Sequence, residues 1–305
     1  MSTKLLMCGG VQTATQNNSA MAEYWASLGL QGFLLLYVVT SWSTDVGVTP
    51  NSGWNNLRTF QSLYAQHGMA DNFIKVSAFT AFDWTSKTAA NEVVAHFNHA
   101  AGMARYAGVP GIAIDLEPYW ASLWQASSGG TPALAQSLGQ RIGAAMLAAY
   151  PKVQLFLLPD VIWQAANAGT AAKYVLAPPF VHGLLSVAWA SPVLGTEQTY
   201  SQSPLSIVHT MAQLPDEYGF SKSPVGYCPG VWPLGPTSTD KSPRMPAAQF
   251  SANLTQMYQL NPPYVFIYAS NGAWQTNSPY GAGPVCPEFQ SYVDVIHQVR
   301  AKFGQ

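Results

Sequence analysis

The chain has 305 residues, of which 48% are hydrophobic and only 9% charged, with a formal net charge of −1. A typical soluble domain is about 25% charged, so Ser, Thr, Asn and Gln must supply most of the polar surface. No Lys/Arg cluster is present to engage nucleic acid or an anionic membrane, and no segment approaches the roughly 20 apolar residues of a membrane span; a neutral ligand suits this composition better.

In chain order, strands are predicted at KLLMCGG (4–10), GFLLLYVVT (32–40), NFIKVSAF (72–79), GIAIDLE (111–117), VQLFLLP (153–159), HGLLSVAWA (182–190), PVGYCPG (224–230) and YVFIYASN (264–271). Their starts recur about every 37 residues, the size of one βα unit. Helical patterns fill most gaps. Apolar stripes run through Leu57, Phe60, Leu63 and Tyr64, then Phe250, Leu254, Met257 and Tyr258, then Phe289, Tyr292, Val293, Ile296 and Val299. Thr131-Pro132 and Ser203-Pro204 read as N-caps followed by proline at the first helical position, and Gly29 and Gly68 as C-terminal glycines. The weakest helical pattern lies around 164–177. Eight strands alternating with helices predict an α/β protein, a single (β/α)8 TIM barrel spanning 1–305, with a doubly wound open sheet as the alternative. Loops at 41–54, 118–130, 191–203 and 229–245 mostly follow strands and would crowd one mouth of the barrel.

The N-terminal apolar run is too short for a signal-peptide core, so the expectation is either a cytoplasmic protein or a secreted one whose leader has been removed. Cys8, Cys228 and Cys286 are too few for a disulfide framework and read as three buried thiols, with one bridge plus one free thiol as the alternative. NNS (17–19) and NLT (253–255) match the glycosylation sequon. No Cys/His spacing suits a metal, and His96 and His99 read as a solvated helix face. No metal, cofactor or nucleic acid is expected, and the chain is expected to be a monomer.

The fourth strand carries the chemistry. Alternation along a strand puts Ala113, Asp115 and Glu117 on one face and Ile112, Ile114 and Leu116 on the other. The branched side chains suit the helix ring, which leaves the acids inside, at the C-terminal mouth where barrel enzymes build their sites. Their backbones lie about 6.6 Å apart. Two carboxyls in a partly dry pocket acquire different pKa values, giving a general acid beside an anionic helper, as glycoside hydrolysis requires. Trp42, Trp84, Trp120, Trp124, Trp163, Trp189, Trp232 and Trp274 fall at or just after predicted strand ends, whereas Trp25 and Trp54 do not. Flat aromatics around a barrel mouth can stack on sugar rings, and a carbohydrate is therefore the expected partner, with Tyr119 beside Trp120 among the contacts.

PGIAIDLEPYW resembles the fourth-strand motif of family 18 glycoside hydrolases, the chitinases and endo-β-N-acetylglucosaminidases, which read roughly DGxDxDxE. The resemblance implies that Glu117 protonates the leaving oxygen. It also implies that Asp115 orients the substrate's acetamido group, whose oxygen attacks the anomeric carbon. Three positions differ from the motif. Ala113 replaces the first motif aspartate, Pro110 replaces the preceding acid, and the predicted sixth strand lacks the tyrosine and acid found there in the family. Tyr227 or Tyr268 would have to substitute.

The predicted seventh strand has no carboxylate, which argues against a two-glutamate retaining site. Other acids at the mouth are Asp45, Asp83 and Asp160. Asp160 is the candidate base of an inverting reaction, and its alternative role is to cap the next helix. The competing functions are a non-catalytic chitinase-like carbohydrate-binding barrel and a barrel deacetylase or lyase, for which only His182 lies near a predicted strand end. A Schiff-base enzyme would draw on Lys75, a mid-strand lysine.

Overall fold

The computed structural model describes residues 2–9, 11, 13–34, 36–39, 41–78, 80–118, 122–166, 169–222, 224–234, 245–269, 274 and 288–305. Eight parallel strands lie in the order β2-β1-β8-β7-β6-β5-β4-β3. They are β1 (Lys4–Cys8), β2 (Gly32–Phe33), β3 (Phe73–Ser77), β4 (Gly111–Asp115), β5 (Gln154–Leu158), β6 (Val193–Thr196), β7 (Gly226–Val231) and β8 (Tyr264–Tyr268). The seam between β2 and β3 is closed by Leu36, whose N–H donates to Phe73 O (3.0 Å) and whose carbonyl accepts from Lys75 N–H (3.0 Å). The result is the expected (β/α)8 barrel.

Among the described residues the helices are α1 (Ser19–Ser27), α2 (Ser52–Gln66), α3 (Lys87–Ala107), α4 (Pro132–Ala149), α5 (Asp160–Ala166), α6 (Ala177–Leu185), α7 (Pro204–Glu217), α8 (Ala247–Gln259) and α9 (Phe289–Lys302). The expected caps form: Thr131 accepts from Leu134 N–H and Ser203 from Ser206 N–H, with proline next in each case. Gly29 (φ 81°) and Gly68 (φ 83°) adopt the left-handed conformation just past α1 and α2. No described helix is long and apolar enough to cross a membrane.

The apolar residues divide into two cores. One fills the barrel and includes Leu6, Cys8, Phe73, Ala113, Phe156, Cys228 and Phe266. The other lies between sheet and helices and includes Ile112, Ile114 and Leu116. The alternation read from the fourth strand is therefore the one the barrel uses. Cys8 and Cys228 are buried free thiols, and Cys286 lies outside the described residues. Of the two sequons, Asn253 is fully buried in α8 and donates to Gln202 O (2.8 Å), so no glycan can be attached there in the folded chain.

The sixth strand is not where the sequence put it. Residues 182–185 of HGLLSVAWA belong to the end of α6, and β6 is Val193–Thr196, inside the segment read as a loop. The α6 helix packs so closely on α4 that a Cβ at Gly183 would lie 1.9 Å from Gln136 O. Its Phe180, Val181 and Leu184 are all fully buried, and a helix buried on several sides loses its amphipathic signature. The true β6 has four residues, including Gly195 and Thr196, too short and too polar to stand out. The predicted second strand also shrinks, to Gly32–Phe33.

Candidate functional site

Three consecutive strand ends deliver carboxyl groups to one mouth of the barrel. Glu117 follows β4, Asp160 follows β5 and Glu197 follows β6. All three line a cavity of about 460 Å³, together with Trp163, Tyr200 and the amides of Gln164, Gln198 and Gln202.

Asp115 lies beneath this cavity, 3% exposed. Its Oδ1 accepts the Glu117 N–H (3.1 Å), and its Oδ2 faces Ser77 Oγ (3.3 Å) and Lys75 Nζ (3.6 Å). Burial pushes the Asp115 carboxyl above its ordinary range, against the opposing pull of Lys75 and these two hydrogen bonds. Lys75 is in register with Ala113 and points into the barrel, with its ammonium 4.8 Å from the centre of the Tyr37 ring.

Asp160 begins α5, but its carboxylate reaches the end of the neighbouring strand β6. Oδ2 accepts the Glu197 N–H (2.8 Å), while Oδ1 faces the hydroxyls of Thr196 (3.4 Å) and Tyr218 (3.4 Å). The alternative role of a simple helix cap does not describe these bonds. Burial first, and then the charge of Glu117, push Asp160 up to about 7, while the Glu197 N–H pulls the other way. Glu197 is pushed up to about 9 by burial, then by Asp160 and Glu117. These two acids titrate as a coupled pair. The chain after β6 is held by Thr199, whose hydroxyl donates to Gly230 O (2.6 Å) and accepts from Gly230 N–H (3.0 Å) on β7. Near neutral pH Glu197 favours its protonated form while Asp160 lies close to its midpoint, so the pair can both donate and accept a proton.

Sequence reasoning missed Glu197 because it misplaced β6. Once β6 is placed correctly, an acid follows it directly and Tyr200 lies three residues further on, so the apparent lack of an acid and a tyrosine at the sixth strand disappears. The signal available in the sequence was faint: the short run VLGT after Ser191-Pro192, with an acid directly behind it.

Most of the tryptophans expected to stack on sugar are core residues. Trp42, Trp84, Trp124, Trp189 and Trp274 are all buried in the layer between sheet and helices. The indole N–H of Trp42 donates to Thr80 Oγ1 (2.8 Å), that of Trp84 to Leu123 O (3.1 Å), that of Trp124 to Leu116 O (2.7 Å) and that of Trp189 to Leu184 O (2.7 Å). A large ring just past a strand end meets the helix ring when it faces outward, and these do. Trp163 is 38% exposed and lines the cavity. Trp232 and Tyr268 pack edge to face (4.9 Å between centroids) inside the barrel mouth, beside Tyr200. Tyr227 faces the helices, near Tyr218. Tyr119 and Trp120 lie outside the described residues.

The remaining candidates lie apart from the cavity. Asp45 pairs with His99 Nδ1 (2.7 Å), which holds its carboxyl below the ordinary range. Asp83 accepts from the Thr85 N–H and hydroxyl. His182 is on α6 against Phe220, not at a strand end.

No family model matches the chain, and no curated protein does. Solved structures do share its fold. A GH18 chitinase from Pseudoalteromonas aurantia is 12% identical with a TM-score of 0.54, covering 97% of this chain and 100% of that one. A glucosidase from Croceicoccus marinus is 12% identical with a TM-score of 0.51; the match covers 92% of this chain but only 63% of the glucosidase. The old yellow enzyme homologue from Zymomonas mobilis is 10% identical with a TM-score of 0.53, covering 96% of this chain and 95% of that one. At such identities the likeness establishes the barrel alone.

Proposed function

We propose that this chain is a glycoside hydrolase acting on a neutral oligo- or polysaccharide, with Glu117 as the proton donor and Asp115 as the buried anion that steadies the strand end carrying it. The observation that carries this reading is the convergence of Glu117, Asp160 and Glu197 on one open cavity walled by glutamine amides and the exposed face of Trp163. Amides and carboxyls match the hydroxyl groups of a sugar, and an indole matches its C–H face. Hydrolysis of a glycosidic bond needs one carboxyl to protonate the leaving oxygen and a second to act on the opposite side of the ring.

A second reading is favoured by the placement of Asp160. With its carboxyl in the same cavity as Glu117, an inverting reaction would use Asp160 as the base that activates water, modulated by its partner Glu197.

The test is sugar release from a panel of N-acetylated and non-acetylated glycans. Glu117→Gln is expected to lower kcat by about 10²- to 10⁴-fold while leaving glycan affinity nearly unchanged. Full activity in the variant would remove Glu117 from the mechanism. Sugar binding with no release by the wild type would favour a carbohydrate-binding barrel.

A further inference from the structure

In the fourth-strand motif that this chain resembles, an acid occupies the position of Ala113. Here the register partner of Ala113 on β3 is Lys75, whose ammonium faces Asp115. Asp115 consequently has a cation for a neighbour where the motif would give it a second carboxyl. With Lys75 and Ser77 on Oδ2 and the Glu117 N–H on Oδ1, three of its roughly four acceptor positions face protein groups. The carboxylate is 3% exposed, and the cavity wall is built from Glu117, Asp160 and Glu197. Lys75 is itself 8% exposed, with the Tyr37 ring against its ammonium. To turn up toward a substrate, Asp115 would have to leave a buried cation without its counter-ion, which is costly.

We propose that Lys75 is a positioning residue that locks Asp115 beneath the cavity as a fixed anion, so that the site cleaves glycosides carrying no 2-acetamido group and draws its second carboxyl from the Asp160–Glu197 pair. This rests on the glycosidase reading above. In a reaction assisted by the substrate's acetamido group, an aspartate must be free to grip the acetamido N–H; a locked Asp115 is not. Among the described residues, the charged and titratable groups around Asp115 are Lys75 on β3, Cys8 on β1, Glu117 at the end of β4 and Glu197 beyond β6. Lys75 alone among them favours the ionised form.

Two measurements test the proposal. The first is the carboxyl-carbon NMR titration of Asp115 in wild type and Lys75→Met. Loss of the ammonium is expected to move proton uptake by Asp115 to higher pH, and coincident titrations would overturn the lock. Lys75→Gln serves if the methionine variant does not fold, and Ser77→Ala should shift the titration in the same direction but less. The second compares matched aryl glycosides that differ only in a 2-hydroxyl or a 2-acetamido group. Wild type is expected to cleave the 2-hydroxy compound at least as fast. Lys75→Met should lower kcat on the order of a hundredfold with KM little changed and should move the acidic limb of kcat to higher pH. Lys75→Arg should recover part of the loss. Cleavage confined to 2-acetamido glycosides, or an unmoved pH profile in Lys75→Met, would overturn the proposal. Absence of cleavage of any glycoside defeats the glycosidase reading and this substrate assignment with it, whereas the carboxyl titration still accepts or rejects the lock.

Discussion

Asp160 and Glu197 sit where burial opposes ionisation, reinforced by the charge of Glu117 at Asp160 and by those of Asp160 and Glu117 at Glu197. Their raised values make folding pH-dependent. An acid whose pKa rises on folding contributes stability that is fully present below its unfolded value of about 4 and is lost as pH climbs through the folded value. For Asp160 that value is about 7 and for Glu197 about 9. Thermal unfolding should therefore shift to lower temperature as pH rises from about 5 to 9. In Asp160→Asn the slope of Tm against pH should flatten, because one ionisation is gone and Glu197 loses a repelling neighbour. An unchanged slope would mean that Asp160 is not held protonated by the fold. Asp115 and Glu117 were legible in the sequence because strand alternation places both on the inward face. Asp160 was visible as an acid past a strand end, but its partner was not. Only the structure shows that its carboxylate reaches the backbone of Glu197, 37 residues along the chain.

The α4–α6 contact explains the main error in reading elements. A Cβ at Gly139 would lie 2.1 Å from Phe180 O, and one at Gly183 would lie 1.9 Å from Gln136 O, so the two helix backbones touch through glycine. Neither obstacle is a flexible side chain that could step aside. Gly183→Ala is expected to destabilise the fold by about 3 kcal/mol, measurable as a lower urea midpoint at constant m. A cost near zero would show that α6 can slide away from α4. The same closeness hid α6 from its periodicity: buried against both α4 and the barrel, it needs apolar residues on more than one face. By contrast α2, α8 and α9 each bury a single face, and their stripes at Phe60 and Tyr64, Leu254 and Tyr258, and Tyr292 and Ile296 were readable.

Across the whole barrel the hydrogen-bonded ladder is uneven. The β3–β4 and β4–β5 pairs each run over five residues in register, whereas β2 has only two strand residues and meets β3 through Leu36. This seam should open first. Amide exchange is expected to be faster at Leu36 and Lys75, whose N–H groups bond across the seam, than at the β4 amides. Equal protection would show that the barrel opens only as a unit. The seam also supports Lys75 and Tyr37, so its integrity bears on how firmly Asp115 is held.

The order of residues is enough to read the alternation of strands and helices, the caps, and the inward face of β4, because each is set by contacts within a few residues of one another: side-chain parity, a hydroxyl over a helix end, a glycine at positive φ. Closure of the barrel is what sets where β6 runs, that five tryptophans belong to the core, and that Glu197 and Lys75 complete the group around Glu117 and Asp115. These depend on which side of a strand end faces the helix ring and on which distant strands become neighbours. Burial and charge proximity, which set the proton affinities of Asp115, Asp160 and Glu197, exist only once the barrel has closed.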